Sequence, residues 1–498
     1  MFKLNAIAKG CALAALSCSP FVQATETVST DEQPNIIVIM ADDLGQWATS
    51  FRNQDIIETP NLDYLAENGV RFENGMTPAP VSSAARASFH TGKMPSQHGV
   101  YDFLAEDPKF DADWLDGEKL LSERMKDEGY RTALMGKWHA TTDSKDPIRG
   151  FDRWLSYDAL EAGWKNQYLH SGTVLFSSDG ENMEYTGIQA QFLTDETLKF
   201  IDQDSDQPFF VSLNYVEPHF PFEGLPERLV TKYRGIAHKV VAFGGNSVLE
   251  HMSDFTLVPD DHEEQLAQYL AAVTLLDNQL GKLIDGLEGR DLLDNTVIAF
   301  VSDHGLLMGQ YGLYGKVNAS FPYNYYEETV RIPFVVSGPE KFVRPKQVRG
   351  EFVDLIDLHA TVLDLAAGEK QTYDTSYGPG KTLLPMLKGE RVRDWREYQF
   401  AERGNSRMIS NGHWKLIRYY PNPEVNKEPE DHWYDLSNPM GERYLSEPPR
   451  EELRVKMIAD LDAFFEQYSS DKYNGLKMWE QAYPNFTSED MLKHERWN

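Results

Sequence analysis

The chain has 498 residues, of which 48 are Lys or Arg and 78 are Asp or Glu, so its formal net charge is -30 at pH 7. A protein this acidic is repelled by nucleic-acid phosphates and by anionic membrane surfaces, and we expect neither as a partner. The length allows a large hydrophobic core, which indicates one large α/β domain followed by a smaller appendage.

The first 24 residues have the pattern of a secretory signal peptide. Lys3 and Lys9 precede a short apolar run, and Ala24 stands at the expected cleavage position. The run is too short to span a bilayer, and no later segment offers about 18 consecutive apolar residues. We therefore expect a periplasmic or secreted protein without a membrane span, with a lipid anchor on Cys18 as the alternative.

The cysteine content narrows the possible chemistry. The chain has two cysteines, Cys11 and Cys18, and both lie within the expected signal peptide. Cleavage at Ala24 would leave a mature chain without cysteine. A disulfide framework, a thiolate zinc site and a cysteine nucleophile are then all excluded.

The first predicted strand ends abruptly at two acids. The nearly continuous apolar run from Pro34 to Ala41 is typical of a strand that is covered on both faces, as in parallel α/β sheets. Asp42 and Asp43 follow at its carboxyl end, the usual ligand position in open α/β sheets. Because adjacent carboxylates repel each other, a hard cation between them is one interpretation, and a simple Asp-Asp turn is the other.

A serine-rich stretch then predicts a helix from about Ala85 to Gly92. Ser82 stands just before this helix, where free N–H groups and the helix dipole favour an anion. Arg86, one turn further along, can reach back toward the same place. Ser82 and Ser83 could equally be N-caps, the commoner role of serines in front of a helix.

Three further predicted strands end in charged or imidazole side chains. They lead to Lys137 and His139, to His219, and to Asp303 and His304. Lys316 follows in a loop that several glycines punctuate. Helical segments alternate with the strands, the longest from Asp261 to Leu287 with apolar residues at a period close to 3.6. This alternation predicts an α/β fold with a large, mainly parallel sheet sandwiched by helices, whose strand ends bring these side chains together.

The pattern changes near residue 401. The segment from Arg407 to Ile417 predicts a hairpin that turns at Asn411-Gly412, and an amphipathic helix is predicted from Glu451 to Tyr468. We interpret residues 401–498 as a smaller C-terminal α/β subdomain that packs on a catalytic domain of residues 25–400.

In this combination the chain resembles the formylglycine-dependent (type I) sulfatases of the alkaline phosphatase superfamily. The resemblance runs from about Pro34 to about Leu436. Its most specific parts are SSAAR at residues 82–86 and GYRTALMGKWH at residues 129–139. At the nucleophile the family pattern is Cys or Ser, any residue, Pro or Ala, any residue, Arg, so this chain is similar to the Ser-type bacterial variant.

The resemblance implies a role for each of the residues at the strand ends. It implies that a radical-dependent sulfatase-maturating enzyme oxidises Ser82 to formylglycine, whose hydrate is the nucleophile. The implied ligands of one Ca²⁺ ion per chain are Asp42, Asp43, Asp303, His304 and the modified residue 82. By the same resemblance Arg86 and Lys137 orient residue 82, His139 activates or regenerates it, and His219 and Lys316 hold sulfate oxygens and assist the leaving alkoxide.

The implied activity is hydrolysis of sulfate esters by a secreted or periplasmic enzyme, with a sulfated carbohydrate or polysaccharide as the expected substrate. Two alternatives stay open. One is a phosphodiesterase or phosphonate monoester hydrolase of the same superfamily, and the other is a non-catalytic glycan-binding relative in which Ser82 is never oxidised. Loop position makes His98, Tyr101 and Trp164 candidates for substrate contacts, although packing or surface roles explain them as well.

Overall fold

The computed structural model describes residues 33–112, 114–241, 246–368 and 377–498. The expected signal peptide, with its cleavage position and both cysteines, lies outside the described residues. Within the described ranges no helix is both long enough and apolar enough to cross a membrane.

The strands of the described chain form one large sheet and three small ones. In chain order they are β1 (Asn35–Ala41), β2 (Gly69–Met76), β3 (Arg131–Gly136), β4 (Arg153–Tyr157), β5 (Ser171–Ser178), β6 (Glu181–Ile188), β7 (Phe209–Asn214), β8 (Glu250–His251), β9 (Thr296–Ser302), β10 (Leu307–Met308), β11 (Tyr314–Gly315), β12 (Ser320–Phe321), β13 (Phe334–Ser337), β14 (Gln347–Asp354), β15 (Gln399–Arg403), β16 (Ser406–Ser410), β17 (Trp414–Tyr419) and β18 (Glu430–Asp435).

The α-helices of the same ranges cover the faces of the large sheet and the C-terminal region. In chain order they are α1 (Ser50–Asn53), α2 (Pro60–Glu67), α3 (Ser82–Thr91), α4 (Pro95–His98), α5 (Leu121–Asp127), α6 (Ala159–Ala162), α7 (Gln189–Ile201), α8 (Glu227–Tyr233), α9 (His262–Glu288), α10 (Glu327–Val330), α11 (Leu355–Ala367), α12 (Leu384–Leu387), α13 (Glu451–Gln467) and α14 (Phe486–Leu492).

The large sheet has ten strands in the order β14-β2-β13-β9-β1-β7-β3-β4-β5-β6. Its central strands β9, β1, β7, β3 and β4 are all parallel to one another. Antiparallel pairs occur where β13 joins β2 and β9, and where β5 joins β4 and β6. The predicted large, mainly parallel sheet is confirmed, and its outer parts are mixed.

Strand β1 lies at the centre of the large sheet, and its two faces meet two different hydrophobic cores. Ile36, Val38 and Met40 point to a core shared with α3, α5 and α11. Residues 37, 39 and 41 point to the opposite core, against α2, α7, α8 and α9. Because helices cover both faces, every side chain of the strand is buried. The predicted helix layers on both faces are therefore confirmed.

A separate four-stranded antiparallel sheet, β15-β16-β17-β18, lies near the C-terminus of the chain. β16 and β17 form the predicted hairpin around Asn411-Gly412. Helix α13 packs on this sheet, where Met457, Leu461 and Phe465 meet Ile409 in a small core of its own. The predicted smaller C-terminal α/β unit is confirmed.

Candidate active site

The carboxyl ends of parallel strands meet at one edge of the large sheet and carry the charged side chains. The register of β1 with β9 places Asp42 beside Asp303 directly after the last paired residues. β7 lies between β1 and β3, and its last residue, Asn214, pairs with Gly136 immediately before Lys137. These side chains therefore leave the sheet next to one another, at the edge where open α/β sheets bind ligands.

Ser82 is the first residue of α3, and its hydroxyl points into this edge instead of capping the helix. The N-cap is Val81, and no side chain provides a capping hydrogen bond. Ser82 Oγ lies 3.1 Å from Asp42 Oδ1 and 3.1 Å from His304 Nε2. The N-cap interpretation of Ser82 and Ser83 is therefore wrong, and the helix begins three residues earlier than the sequence predicts, because these serines make tertiary contacts.

Arg86 lies one turn into α3 and is only 1% exposed. Its Nε and Nη2 donate hydrogen bonds to Asp303 Oδ2 at 3.2 and 3.0 Å. Nη1 donates to the carbonyl oxygen of Lys137 at 3.1 Å, and Nη2 is 3.6 Å from Asp42 Oδ1. The guanidinium group thus joins the ends of three strands beneath residue 82.

Lys137 and Asp42 form a buried ion pair. Lys137 Nζ donates to Asp42 Oδ2 at 2.6 Å. Burial by itself would raise the pKa of Asp42, but the positive charges around it, with Lys137 the strongest, hold that pKa well below its usual value. Asp42 is therefore ionised at neutral pH, and its second oxygen receives the Ser82 hydroxyl.

Asp43 adopts the left-handed backbone conformation, with φ 66°, at the end of β1. Such a conformation is costly for a residue other than glycine and is often found at functional sites. Its side chain is fully buried. Burial, together with repulsion from Asp42 and Asp303, raises the pKa of Asp43 to about 7 despite the opposing charge of Lys316.

His304 faces the same point with one ring nitrogen. Its Nδ1 lies 2.9 Å from the carbonyl oxygen of Gly305, a distance at which Nδ1–H donates. Nε2 then carries a lone pair, 3.4 Å from Asp43 Oδ1. Burial lowers the pKa of His304 to about 4, so the ring is neutral at pH 7.

A metal ion fits this arrangement. Asp42, Asp43, Asp303 and His304 each offer a ligand atom, and all four atoms lie within 4.8 Å of one another. Both oxygens of Asp43 are buried; Oδ1 is paired with Lys316 Nζ at 2.8 Å, and Oδ2 accepts no hydrogen bond from the described residues. Three carboxylates form an oxygen-rich set that suits a hard cation, while the imidazole nitrogen is a less typical partner for calcium. The backbone carbonyl at Gly305 fixes the ring of His304 as metal-binding histidines require.

His219 and Lys316 lie on the outer side of the cluster. Lys316 Nζ is 2.8 Å from Asp43 Oδ1 and 3.1 Å from His219 Nε2. His219 Nδ1 is 2.6 Å from the carbonyl oxygen of Phe220. Burial, and then the charge of Lys316, hold the pKa of His219 well below its ordinary value, so this ring is neutral. The pair offers one cation and one imidazole to an anion next to residue 82.

His139 lies beside this group but makes a different contact. Its Nε2 is 2.9 Å from the carbonyl oxygen of Leu104, and its φ is 48°. Nδ1 is buried without a hydrogen-bond partner among the described residues. Burial, followed by the charge of Lys137, lowers the pKa of His139 well below the ordinary value. The structure gives no direct hydrogen bond between His139 and Ser82.

The sequence did not indicate Tyr168, which forms one wall of the site. Its ring stacks on His219 with centroids 4.0 Å apart and planes at 13°. Lys137 Nζ lies 4.8 Å from the centre of the same ring. Tyr168 belongs to a connection between β4 and β5 without a recognisable motif, so only the folded chain reveals this contact.

The three loop residues considered for substrate contacts have different surroundings. His98 is buried, contacts Ser88 Oγ through Nε2 at 3.0 Å, and has its pKa lowered to about 3 by burial. Tyr101 is also buried, in the core shared with the C-terminal residues. Trp164, in contrast, is 45% exposed and lies 6.0 Å from the ring of Phe220. Only Trp164 of the three is placed to meet a ligand from solvent.

Together, the strand-end site and the α/β sheet define a hydrolase-type centre for an anionic ester. The sequence pattern of the Sulfatase family matches residues 34–369, and that of the N-sulphoglucosamine sulphohydrolase C-terminal region matches residues 309–464. The chain belongs to the sulfatase family, and its enzyme class is that of the sulfuric ester hydrolases.

Two curated relatives illustrate the range of the family. The choline-sulfatase of Rhizobium meliloti is 28% identical over 456 residues, which cover 84% of each chain. The N-acetylglucosamine-6-O-sulfatase of Bacteroides thetaiotaomicron is 26% identical over 467 residues, covering 78% of this chain and 79% of the relative. Among solved structures, one in complex with its substrate D-glucosamine-2-N,6-O-disulfate superposes with a TM-score of 0.73 at 21% identity, over 89% of this chain and 99% of the other. That similarity shows a shared fold.

Proposed function

We propose that the protein is a periplasmic or secreted sulfatase that removes sulfate from sulfated carbohydrates, with residue 82 as formylglycine and one Ca²⁺ ion per chain. The observation that carries the proposal is the buried contact of Ser82 Oγ with Asp42 and His304, together with the cations Arg86, Lys137 and Lys316 that pair with the neighbouring carboxylates. A nucleophile position, a cation site and positive charges for a bound anion then occur within one pocket.

Residue 82 is well placed for the attacking group. Its side-chain oxygen lies 3.1 Å from Oδ1 of the ionised Asp42 and 3.1 Å from Nε2 of His304, so a cation held by these two groups would also contact residue 82. A hydrated formylglycine supplies two geminal hydroxyls, one to attack sulfur and one to expel the sulfate afterwards, whereas a plain serine would remain as a sulfate ester. Arg86 and Lys137 hold the surrounding carboxylates and so keep residue 82 in position.

The proposed calcium ligands are Asp42, Asp43, Asp303, His304 and residue 82. A bound divalent cation would neutralise sulfate charge and lower the pKa of a hydroxyl next to it. The protein's own contribution is to hold Asp303, whose Oδ1 accepts the backbone N–H groups of Asp43 and His304 at 3.1 and 2.8 Å. This arrangement fixes three of the proposed ligands against one another.

His219 and Lys316 are proposed to bind sulfate oxygens and to assist the leaving alkoxide. Lys316 is the cation of the site with the most exposed side chain, at 18%, so it faces the side from which a substrate enters. Burial would lower the pKa of Lys316, but Asp43, Asp42 and Asp303 outweigh it and raise that pKa. Lys316 is therefore charged at neutral pH. His139, which lies beside Lys137, is proposed to help activate or regenerate residue 82.

The proposed partners follow from this chemistry. A radical-dependent sulfatase-maturating enzyme would oxidise Ser82 before export, and the substrate would be a sulfated sugar. The names of two relatives, a choline-sulfatase and an N-acetylglucosamine-6-O-sulfatase, support sulfate-ester hydrolysis. We prefer the sugar because the second of these relatives is named for a sulfated sugar.

Mass spectrometry of protein from its native host tests the modification. The tryptic peptide from Phe72 to Arg86 is expected to be lighter by two hydrogen atoms at Ser82. An unmodified serine in fully active enzyme would refute the formylglycine mechanism.

N-terminal sequencing of the same exported protein is expected to begin at residue 25, whereas a lipid-modified Cys18 would show the alternative anchor.

A comparison of substrates tests the reaction. Matured enzyme is expected to turn over an aryl sulfate faster than an aryl phosphonate monoester or a phosphodiester. A clear preference for the phosphorus esters would replace the sulfatase proposal by the superfamily alternative. Protein from the native host that keeps an unmodified Ser82, hydrolyses none of them and binds sulfated glycans would indicate the non-catalytic relative.

A further inference from the structure

A row of aromatic rings leads from the buried site to the surface. Tyr168 stacks on His219, and Phe220 follows it with ring centroids 6.0 Å apart and planes at 28°. Trp164 packs against both, with centroids 6.2 Å from Tyr168 and 6.0 Å from Phe220, at steep angles. We call Tyr168, Phe220 and Trp164 the aromatic row. It begins at two groups of the site, His219 and Lys137.

The outer part of the aromatic row is open to solvent. Tyr168 is 5% exposed, whereas Phe220 is 37% and Trp164 is 45% exposed. Trp164 follows α6 by two residues and lies in the exposed segment of residues 160–165. Two large apolar side chains exposed side by side next to a catalytic centre indicate a ligand-binding surface, because burying them against a ligand releases water from apolar area.

The position of the row relative to the site defines which part of a substrate it would meet. The sulfate must lie near residue 82 and Lys316, whose Nζ is 3.1 Å from His219 Nε2. The group esterified to that sulfate then extends past His219, toward Phe220 and Trp164. The row is therefore next to the leaving group and not next to the sulfate.

The charges around the row distinguish between two kinds of leaving group. Lys165 Nζ lies 5.4 Å from the centre of the Trp164 ring, and Lys137 Nζ lies 4.8 Å from that of Tyr168. Lys316 adds a third cation beside His219. Lys137 and Lys316 are paired with Asp42 and Asp43, so the cation that favours an anionic substituent over a quaternary ammonium group is Lys165, at the outer end of the row. The apolar C–H face of a pyranose ring suits the aromatic surface itself.

We propose that Trp164 and Phe220 form a sugar-binding subsite that stacks against the ring carrying the scissile sulfate, with Lys165 positioned for a second anionic substituent such as a carboxylate or another sulfate. This inference rests on the proposed sulfatase function and specifies its substrate class. In this proposal Trp164 determines specificity, because Trp164 contacts the leaving group and its replacement leaves the sulfate-binding residues unchanged.

The test compares steady-state kinetics of matured wild-type enzyme with Trp164→Ala, Trp164→Phe and Phe220→Ala. The substrates are glucosamine 6-sulfate, sulfated carrageenan and ulvan oligosaccharides, and choline sulfate. We expect Trp164→Ala to raise KM for the hydrolysed sugar at least tenfold with kcat within about threefold, and Trp164→Phe to restore most of the loss. Inhibition by inorganic sulfate, which reports on the sulfate pocket alone, is expected to stay unchanged in Trp164→Ala.

Two further variants sharpen the assignment. Tyr64→Ala removes an aromatic residue of similar exposure (44%) that is outside the row, and it is expected to behave as wild type. Lys165→Gln is expected to raise KM only for sugars with a second anionic group. If Lys165→Gln changes KM equally for singly and doubly charged sugars, Lys165 does not bind a second anionic group.

The outcomes separate this inference from the proposed function. Wild-type enzyme that hydrolyses no sulfate ester would overturn the sulfatase function, and the subsite with it. Hydrolysis of sulfated sugars with KM unchanged in both Trp164→Ala and Phe220→Ala would overturn the subsite alone. A preference for choline sulfate that depends on Trp164 would assign the row to a quaternary ammonium group and refute the sugar assignment.

Discussion

Asp42 and Asp43 are neighbours in the chain, yet the folded protein gives them opposite electrostatic surroundings. Asp42 pairs with Lys137 at 2.6 Å, and this charge keeps its pKa low. Asp43 has only Lys316 close by and two carboxylates against it, which raises its pKa to about 7. A divalent cation bound between these carboxylates would replace their mutual repulsion by attraction to the ion. This favours the proposed role of the two acids as ligands over a simple turn.

Lys316 supports a first prediction at the scale of single residues. Lys316→Ala removes the cation on the open side of the site, and kcat for a sulfate ester is expected to fall by about 10²–10³, the usual loss when one charge-stabilising contact is removed. Lys232→Ala, which removes a partly exposed lysine paired with Glu58, is the matched control and is expected to leave kcat unchanged. A kcat within threefold of wild type in Lys316→Ala would contradict the role.

Arg86 supports a second prediction of this kind. Arg86→Lys keeps the charge but cannot reach both Asp303 and the carbonyl of Lys137, because a lysine has a single donor group. Calcium affinity is expected to fall by about 10–100-fold, as when a residue supporting a metal ligand is lost. Calorimetric titration with Ca²⁺ measures it. Arg234→Lys, at an exposed arginine, is the control. An unchanged calcium affinity in Arg86→Lys would show that the several donor groups of the Arg86 guanidinium are not needed.

At the scale of elements, parallel strand pairing places the site. Lys137, Asp42 and Asp303 come from three strands whose ends are aligned by β7 and by the register of β1 with β9. Helix α3 adds residue 82 and Arg86 from one turn. The buried Asp277 of α9 performs a similar task for α2, where it accepts the backbone N–H groups of Asn61 and Leu62 at 3.2 and 2.9 Å.

Asp277 predicts a pH dependence of stability. Burial raises its pKa from 3.8 to about 6, so the folded state binds a proton more tightly than the unfolded state. The stability from this proton is fully present below pH 3.8 and is lost as pH rises through about 6, a change of about 3 kcal/mol. Between pH 4 and pH 7, the Tm of wild type is therefore expected to fall relative to the Tm of Asp277→Asn as pH rises. A constant difference would contradict the shift.

At the scale of the whole molecule, an acidic protein must attract an acidic substrate. The formal charge is -30, but the site concentrates Arg86, Lys137 and Lys316 where the anion binds. The C-terminal sheet holds the segment that follows α3, since Arg403 forms a buried ion pair with Asp102 and Glu402 accepts a hydrogen bond from Ser96 Oγ at 2.7 Å. Local positive charge, together with the proposed cation, would offset the overall repulsion.

Removal of the metal is expected to weaken the entire fold. The proposed ligands follow β1 and β9 at the centre of the sheet, so an ion that binds only the folded chain stabilises all of it. At 100 times its Kd the ion adds about 2.7 kcal/mol. Chelation should lower Tm and abolish turnover, and Ca²⁺ should restore both. Asp43→Asn is the control, with a weaker response of Tm to Ca²⁺. A Tm that chelation leaves unchanged in wild type would contradict the site.

Much of the architecture follows from local patterns in the sequence. The apolar run of β1, the 3.6 period of α9 and the Asn411-Gly412 turn each reflect short-range chemistry, and the structure has these elements where they were predicted. Strand ends in a parallel sheet meet at one edge by topology, so the convergence of Asp42, Lys137 and Asp303 was also predictable.

The contacts of side chains that have more than one possible role could not be predicted from local patterns. Ser82 could have capped a helix, but Asp42 and His304 lie 3.1 Å from its oxygen. Tyr168 and Trp164 belong to a connection with no pattern, and their place beside His219 depends on how that loop returns over the sheet. Local sequence patterns were enough to predict the strands, helices and charged strand ends, because these depend on neighbours in the chain. The partners of Ser82 and the aromatic row depend on residues tens of positions away, which only folding brings into contact.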